Sequence, residues 1–298
     1  MTPAAAPDRE PDRAGHVEVN RTRLRLWEWG DPAAPVVICA HGAHDHGRMW
    51  DGLAPRIASR GFRVVCPDLR GFGDSGHNHS LNFFAASAVD LALLARGLGR
   101  PVGWIGHSYG ARLVVYVAGV WPELARWVVS IDGLGPPNAV FDQGDPAEGA
   151  RRGLDGTVRA LTGPVRVYGS PGEMVERRMK VNSRLPRAWA EHLVAHGSVG
   201  TDGGPAWKAD PVYGMGMPGA LSAGRHNAEN GLLRCPLLVL TGGEPDTWGE
   251  LSPQEKEDRL AHLPTARHVV VPGAGHYVHV EQPDAVMAAV DGFLAGVG

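Results

Sequence analysis

A chain of 298 residues with 43% apolar and 20% charged residues carries enough hydrophobic surface to bury a sizeable core, which excludes a largely disordered protein. Its formal net charge of −3, with 14 histidines counted as neutral, offers no basic excess for a phosphate backbone or an anionic bilayer, so neither nucleic acid nor a membrane surface is an expected partner. The three cysteines, Cys39, Cys66 and Cys235, are odd in number and widely spaced; they fit neither a disulfide framework nor a zinc site and read as buried thiols of a reducing compartment.

Residues 1–14 mix proline with charge and lack an apolar h-region, so this stretch is expected to be a disordered tail rather than a signal peptide or an anchor. No apolar run approaches the length needed to span a bilayer, and the cytoplasm is the expected location. From about Val17 to Trp29 the alternation in VEVN and RLRLWEW predicts two half-exposed strands at a sheet edge. VVICA, from Val36 to Ala40, is continuously apolar and predicts a buried strand. FRVVCPD, PVGWIGH, WVVSIDG, CPLLVLTGG and ARHVVVPG repeat that character, each short and closed by Gly, Asp or His.

Between these runs lie stretches such as LNFFAASAVDLALLARGL and ARLVVYVAGVWPELA, whose apolar positions recur at three- and four-residue spacing and predict helices. Strand and helix therefore alternate. The expected fold is α/β, a mostly parallel doubly wound sheet with helices on both faces and ligands beyond the carboxyl ends of the strands. One stretch, residues 134–230, breaks the alternation with Gly, Pro and Arg and helical patches GEMVERRMKVNSRL and RAWAEHLVAHG. It reads as an inserted helical cap or lid, leaving 15–133 and 231–298 as the core.

The sharpest chemical signal is Gly106-His107-Ser108-Tyr109-Gly110, a G-x-S-x-G run between the strand PVGWIGH and a helix. A tight strand-to-helix turn lifts a serine oxygen into the cleft and requires small flanking residues, while the helix start directs backbone N–H groups at developing negative charge. Ser108 is thus the expected nucleophile. A serine hydroxyl needs a base, and His276 in Gly273-Ala274-Gly275-His276-Tyr277 follows the last strand-like run. His279 is its rival but is expected to face the closing helix. For the acid that orients the histidine, Asp246 after CPLLVLTGG is preferred, with Asp132 after WVVSIDG as the alternative and Glu244 as a possible substitute. The oxyanion donors are expected to be the backbone N–H groups of Tyr109 and of Ala43, in the His41-Gly42-Ala43 loop after VVICA; His41 itself is expected to brace that loop.

Taken together and in this order, HGAHDHGRMW, DLRGFGDSG, GHSYG, GGEPD and GAGHYVHVEQP resemble the α/β-hydrolase superfamily, across essentially all of the chain outside the tail and cap. The cap stretch NSRLPRAWAEHLVAHG followed by GGPAWKADP is similar to the serine hydrolase-like proteins within it. The resemblance implies that Asp68-Leu69-Arg70-Gly71-Phe72-Gly73-Asp74-Ser75 is a structural turn. It also implies hydrolysis of an ester, thioester, lactone or carbon–carbon bond through an acyl-enzyme, without a cofactor or metal. Serine at the elbow disfavours the superfamily's haloalkane dehalogenases and soluble epoxide hydrolases, which use aspartate there. An apolar small-molecule ester or lactone is the expected substrate.

Two other classes compete. The cluster His41, His44, Asp45 and His46 resembles the H-x-H-x-D-H run of metallo-β-lactamase-type hydrolases, but the middle histidine would fall at position 43, which is alanine. Some members of the superfamily keep the triad and act as receptors rather than enzymes, which makes a ligand-binding module the third reading. Trp27, Trp29, Trp50, Trp104, Trp121 and Trp127 are expected in the core. Trp189, Trp207, Tyr213, Met215 and Met217 are expected either to line an acyl pocket or to pack the cap on the sheet. Arg151-Arg152 and Glu176-Arg177-Arg178 read as solvated helix faces.

Overall fold

The structure, a computed structural model, describes residues 7, 9–77, 83–141, 144–212, 222–246 and 251–297. An eight-stranded sheet runs in the spatial order β1-β2-β4-β3-β5-β6-β9-β10. Its strands are β1 (Arg13–Val19), β2 (Thr22–Trp29), β3 (Val36–Ala40), β4 (Arg63–Pro67), β5 (Val102–His107), β6 (Ala125–Ile131), β9 (Leu237–Gly242) and β10 (Ala266–Val271). A separate hairpin holds β7 (Ser198–Thr201) and β8 (Gly204–Trp207). Only β1 and β2 run antiparallel to their neighbours in the large sheet; β3 to β10 within it pair in parallel.

The edge hairpin turns on Asn20 and Arg21, both at positive φ (44° and 58°), the geometry that matches a two-residue turn to the right-handed twist of the strands. Because β1 starts at Arg13, residues 13 and 14 belong to the sheet and not to the tail that composition suggested. The apolar runs are buried on two sides. Val36 and Ile38 face a core shared with Leu91, Trp104, Leu113 and Val117, whereas Val37 and Cys39 face one shared with Trp50, Ile105, Val286 and Phe293. Helices Phe83–Gly97 and Tyr109–Val120 cover the first face, and Ala54–Ala58 and Pro283–Leu294 the second. Burial of each such aliphatic or aromatic side chain contributes on the order of 1.5–3 kcal/mol. Trp29, Trp50 and Trp104 are fully buried and Trp127 nearly so, while Trp27 and Trp121 sit half-buried at the margin.

Between β6 and β9 the chain forms helices Asn138–Phe141, Pro146–Thr162, Pro171–Val181, Arg187–Gly197 and Ala223–Asn230, together with the β7–β8 hairpin. The prolines that break the alternation in the sequence mark helix starts here. Pro146 and Pro171 occupy first-turn positions, where the missing N–H costs nothing, behind Asp145 and Ser170, whose side chains accept helix N–H groups. A third apolar cluster joins this insertion to the core: Met174, Val175, Trp189, Leu193 and Val194 pack on Met49, Tyr277 and Val280. Trp189 is therefore buried packing, with Trp207 beside it. Tyr213, Met215 and Met217 lie outside the described residues.

Candidate active site

The elbow is built by close approach. A Cβ on Gly106 would lie 2.4 Å from the Gly110 carbonyl oxygen, and one on Gly110 would lie 2.2 Å from that of Ala40. Only glycine lets β5 turn this sharply and lets the helix Tyr109–Val120 rest its first turn on the end of β3. Ser108 pays for the turn in its own backbone, at φ 52° and ψ −116°, a conformation an L-residue adopts only under surrounding constraint. Its N–H donates to the Ile131 carbonyl (2.9 Å) and its carbonyl accepts from the Arg112 N–H (3.1 Å). This contact of helix start and β3 end brings the amides of Tyr109 and the His41-Gly42-Ala43 loop to the same rim, where a helix N-terminus favours negative charge.

Two carboxylates meet His276, and their contacts are the reverse of those expected. His276 Nδ1 donates to Asp132 Oδ2 at 2.6 Å. Asp246 Oδ2 instead accepts the backbone N–H of His276 at 2.8 Å. The preferred acid thus holds the loop, and the alternative holds the ring. Asp132 immediately follows β6, turns off it at φ 48°, and donates its own N–H to Leu240 (2.8 Å). Asp246 lies four residues beyond the end of β9 and meets the peptide N–H of His276 instead. Glu244 accepts the Gly273 N–H (3.2 Å), bracing the same loop one step earlier. With Nδ1 committed to a carboxylate, His276 carries its proton there and leaves Nε2 as the basic nitrogen.

His107, the second residue of the elbow motif, is a member the motif alone did not single out. Its ring is fully buried, and burial holds its pKa well below the usual histidine range. Its Nε2–H donates to the His276 carbonyl at 2.9 Å, and its Nδ1 faces Gly42, where a Cβ would come within 2.8 Å. One neutral ring therefore touches the serine turn, the His276 loop and the His41-Gly42-Ala43 loop. His279, expected to face the closing helix, lies on the short helix Val278–Glu281 just before it and is buried between Trp50 (ring centroids 4.8 Å apart) and His107 (4.7 Å); burial pushes its pKa down to about 3.

The residues of the metal-like cluster point to different partners. His41 donates from Nδ1 to the Gly42 carbonyl (2.7 Å) and accepts the Leu69 N–H on Nε2 (2.9 Å), the bracing role expected of it; burial lowers its pKa to about 4 and keeps the ring neutral. His46 Nε2 meets the Leu193 carbonyl (3.1 Å), Asp45 pairs with Arg178, and the exposed His44 sets its ring edge-on to Phe72. Among the described residues no three His, Cys, Asp or Glu side chains form a group that fits a metal ion. Asp68 accepts from Gly47 N–H, Trp27 Nε1 and Asp74 N–H, so its turn ties the segment after the His41-Gly42-Ala43 loop to the sheet.

Two of the arginine readings part company here. Arg151 and Arg152 are exposed, but the side chain of Arg178 is only 8% exposed. A groove of about 530 Å³ at the margin of the insertion is lined by Leu161, Val165, Trp207 and Lys208 and does not reach Ser108. No helix among the described residues is long and apolar enough to cross a membrane. The cysteines are free: Cys39 and Cys66 are buried and Cys235 is half-buried.

A parallel sheet covered on both faces, with a serine elbow, a histidine after the last strand and an acid on its ring, defines a hydrolase of the α/β class. The family model described as the alpha/beta hydrolase family matches residues 37–289, and the chain belongs to that family. Among proteins of named activity it is 29% identical to epoxide hydrolase A of Mycobacterium tuberculosis, over 94% of this chain and 97% of that one. It is 27% identical to 2-(acetamidomethylene)succinate hydrolase of Mesorhizobium japonicum, over 93% and 94%. Among solved structures, the thioesterase domain from the curacin biosynthetic pathway superposes with a TM-score of 0.80 over 95% of this chain and 99% of that one, at 21% identity, a likeness of fold.

Proposed function

We propose that the protein is a serine hydrolase that cleaves a carboxylic ester or lactone of an apolar small molecule through an acyl-enzyme, in the cytoplasm, where its three thiols stay reduced. The observation that carries this reading is the 2.6 Å bond between His276 Nδ1 and Asp132, set beside a serine held at positive φ on a strand-to-helix turn. In the proposed cycle His276 Nε2 takes the Ser108 proton as Oγ attacks the carbonyl carbon. Asp132 stabilises the imidazolium, and the Ala43 and Tyr109 N–H groups receive the oxyanion. The imidazolium then protonates the departing alcohol, and water, deprotonated by the same ring, releases the acid and restores Ser108.

Similarity to an epoxide hydrolase does not carry that chemistry across, for a reason of bond type. A carboxylate that opens an epoxide leaves an alkyl ester, which water can hydrolyse at its carbonyl. Serine would leave an alkyl ether, with no carbonyl to attack, and turnover would stop. An acyl donor avoids this because the enzyme intermediate is itself an ester.

The test is labelling by a fluorophosphonate together with turnover of a panel of p-nitrophenyl esters and lactones. Ser108→Ala should abolish labelling and lower kcat by about 10⁴-fold or more while leaving the fold intact. Turnover retained by that variant would overturn the mechanism, and a protein that neither labels nor turns over but is stabilised by a small ligand would favour the binding-module reading.

A further inference from the structure

The guanidinium of Arg178 comes from the insertion, on the helix Pro171–Val181, yet it is buried against two loops of the core. It pairs with the Asp45 carboxylate, donates to the Tyr277 hydroxyl at 2.7 Å and donates to the His44 carbonyl at 3.2 Å. The Tyr277 hydroxyl lies 3.2 Å from Asp45 Oδ2, which closes the network. Asp45 is two residues from Ala43, and Tyr277 directly follows His276. The intervening His44 sits at φ 60°, a left-handed conformation that a non-glycine residue keeps only when its surroundings impose it. Further contacts join the same loop to the next cap helix, from His46 Nε2 to the Leu193 carbonyl and from His192 Nε2 to the Arg48 carbonyl (both 3.1 Å).

We infer that Arg178 is a positioning residue through which docking of the cap shapes the oxyanion loop and ties it to the loop carrying His276. The inference rests on the reading of Ser108 and His276 given above and adds a coupling to it. Three features of the geometry support the assignment. A planar fork reaches carboxylate, hydroxyl and carbonyl at once, which no lysine ammonium on a single stem reproduces. The pair is desolvated, so its attraction is little screened by solvent and its partners are held tightly. The contacts fall on neighbours of the reacting groups, the Asp45 and Tyr277 side chains and the His44 carbonyl, rather than on those groups, so the expected effect is on the placement of Ala43 N–H and not on proton transfer. An N–H displaced by a fraction of an ångström from the developing oxyanion weakens an interaction made chiefly in the transition state.

The experiment compares wild type with Arg178→Lys, which keeps the charge but loses the fork, and with the double variant Arg178→Met/Asp45→Asn, which removes both charges and leaves no orphan ion. Hydrogen exchange is followed at the amides of residues 42–46 and 277, alongside steady-state turnover of a p-nitrophenyl ester. Both variants should exchange faster in those two loops while the strands stay protected, and kcat should fall about 10- to 100-fold with KM within about threefold. Tyr277→Phe, which deletes one arm only, should fall between them and wild type. Wild-type exchange and wild-type kcat in Arg178→Lys and in the double variant would overturn the inference, as would uniform loosening of sheet and loops together, the signature of a merely structural residue. If Ser108→Ala keeps activity while the loop exchange responds as expected, it is the reading of the nucleophile that fails and not the coupling of cap to loop.

Discussion

Asp132 and Asp246 approach His276 from the ends of neighbouring strands, and they differ in which part of it they meet. The first directly follows its strand and its carboxylate meets the imidazole; the second lies four residues past its strand and its carboxylate meets the peptide nitrogen of the same residue. A ring contact sets the tautomer and stabilises charge as it develops, whereas a backbone contact only holds the loop in place. Two acids of one type, equally well placed in the sequence, are thereby given different contacts on the same residue.

The largest effect that sharpens this contrast is expected from Asp132→Asn. An amide on Nδ1 favours the wrong tautomer, and kcat should fall by about 10³- to 10⁴-fold with the fold retained. Asp246→Asn keeps an acceptor oxygen for the His276 N–H and should stay within about threefold of wild type, while Asp246→Ala, which removes the acceptor, should cost about tenfold through a looser loop. Measuring kcat on one ester for all three variants decides the matter: a large loss in Asp246→Asn with a small one in Asp132→Asn would reverse the assignment.

Lowering the pH acts on a different part of the site, the buried neutral histidines His41 and His279. Burial depresses the pKa of His41 to about 4 and of His279 to about 3, below the ordinary unfolded value of ~6.5. Between those limits the unfolded chain binds more protons than the folded one, so the stability these rings contribute is complete above pH ~6.5 and is lost as pH falls toward their folded values, by up to ~1.4 kcal/mol per pH unit for each. Urea unfolding at pH 7.5, 6 and 5 should show this decline, and a flat profile would contradict it. The smallest effect is expected from His279→Phe at neutral pH. Neither ring nitrogen of His279 has a hydrogen-bond partner among the described residues, so an aromatic replacement between Trp50 and His107 should leave stability unchanged or raise it by up to ~1 kcal/mol, and should reduce the acid-side slope.

Much of this molecule was legible in the amino-acid order because the relevant physics is local. Continuous apolar runs such as VVICA announce strands buried on both faces, three- and four-residue spacing announces the helices that cover them, and the glycines around Ser108 announce a turn that tolerates no Cβ. His41 could be read as a brace on the same grounds, since it ends a strand beside a glycine. Choice among equivalent partners was not legible. Asp132 and Asp246 both follow strands and both precede His276. Arg178 belongs to a charged run that resembles a solvated helix face until Asp45, 133 residues earlier in the chain, arrives beside it. His107 appeared as the variable letter of a motif, although its ring ties together three loops.

The sequence by itself thus determined the α/β architecture, the insertion after β6 and the serine elbow, because strand, helix and tight turn follow from hydrophobic period and steric size over short spans. Only the tertiary structure decided which carboxylate meets the imidazole and which arginine is buried, because both depend on where loop ends fall in three dimensions. Hydrogen bonds change with fractions of an ångström, while spacing along a chain constrains position only to within a loop's reach.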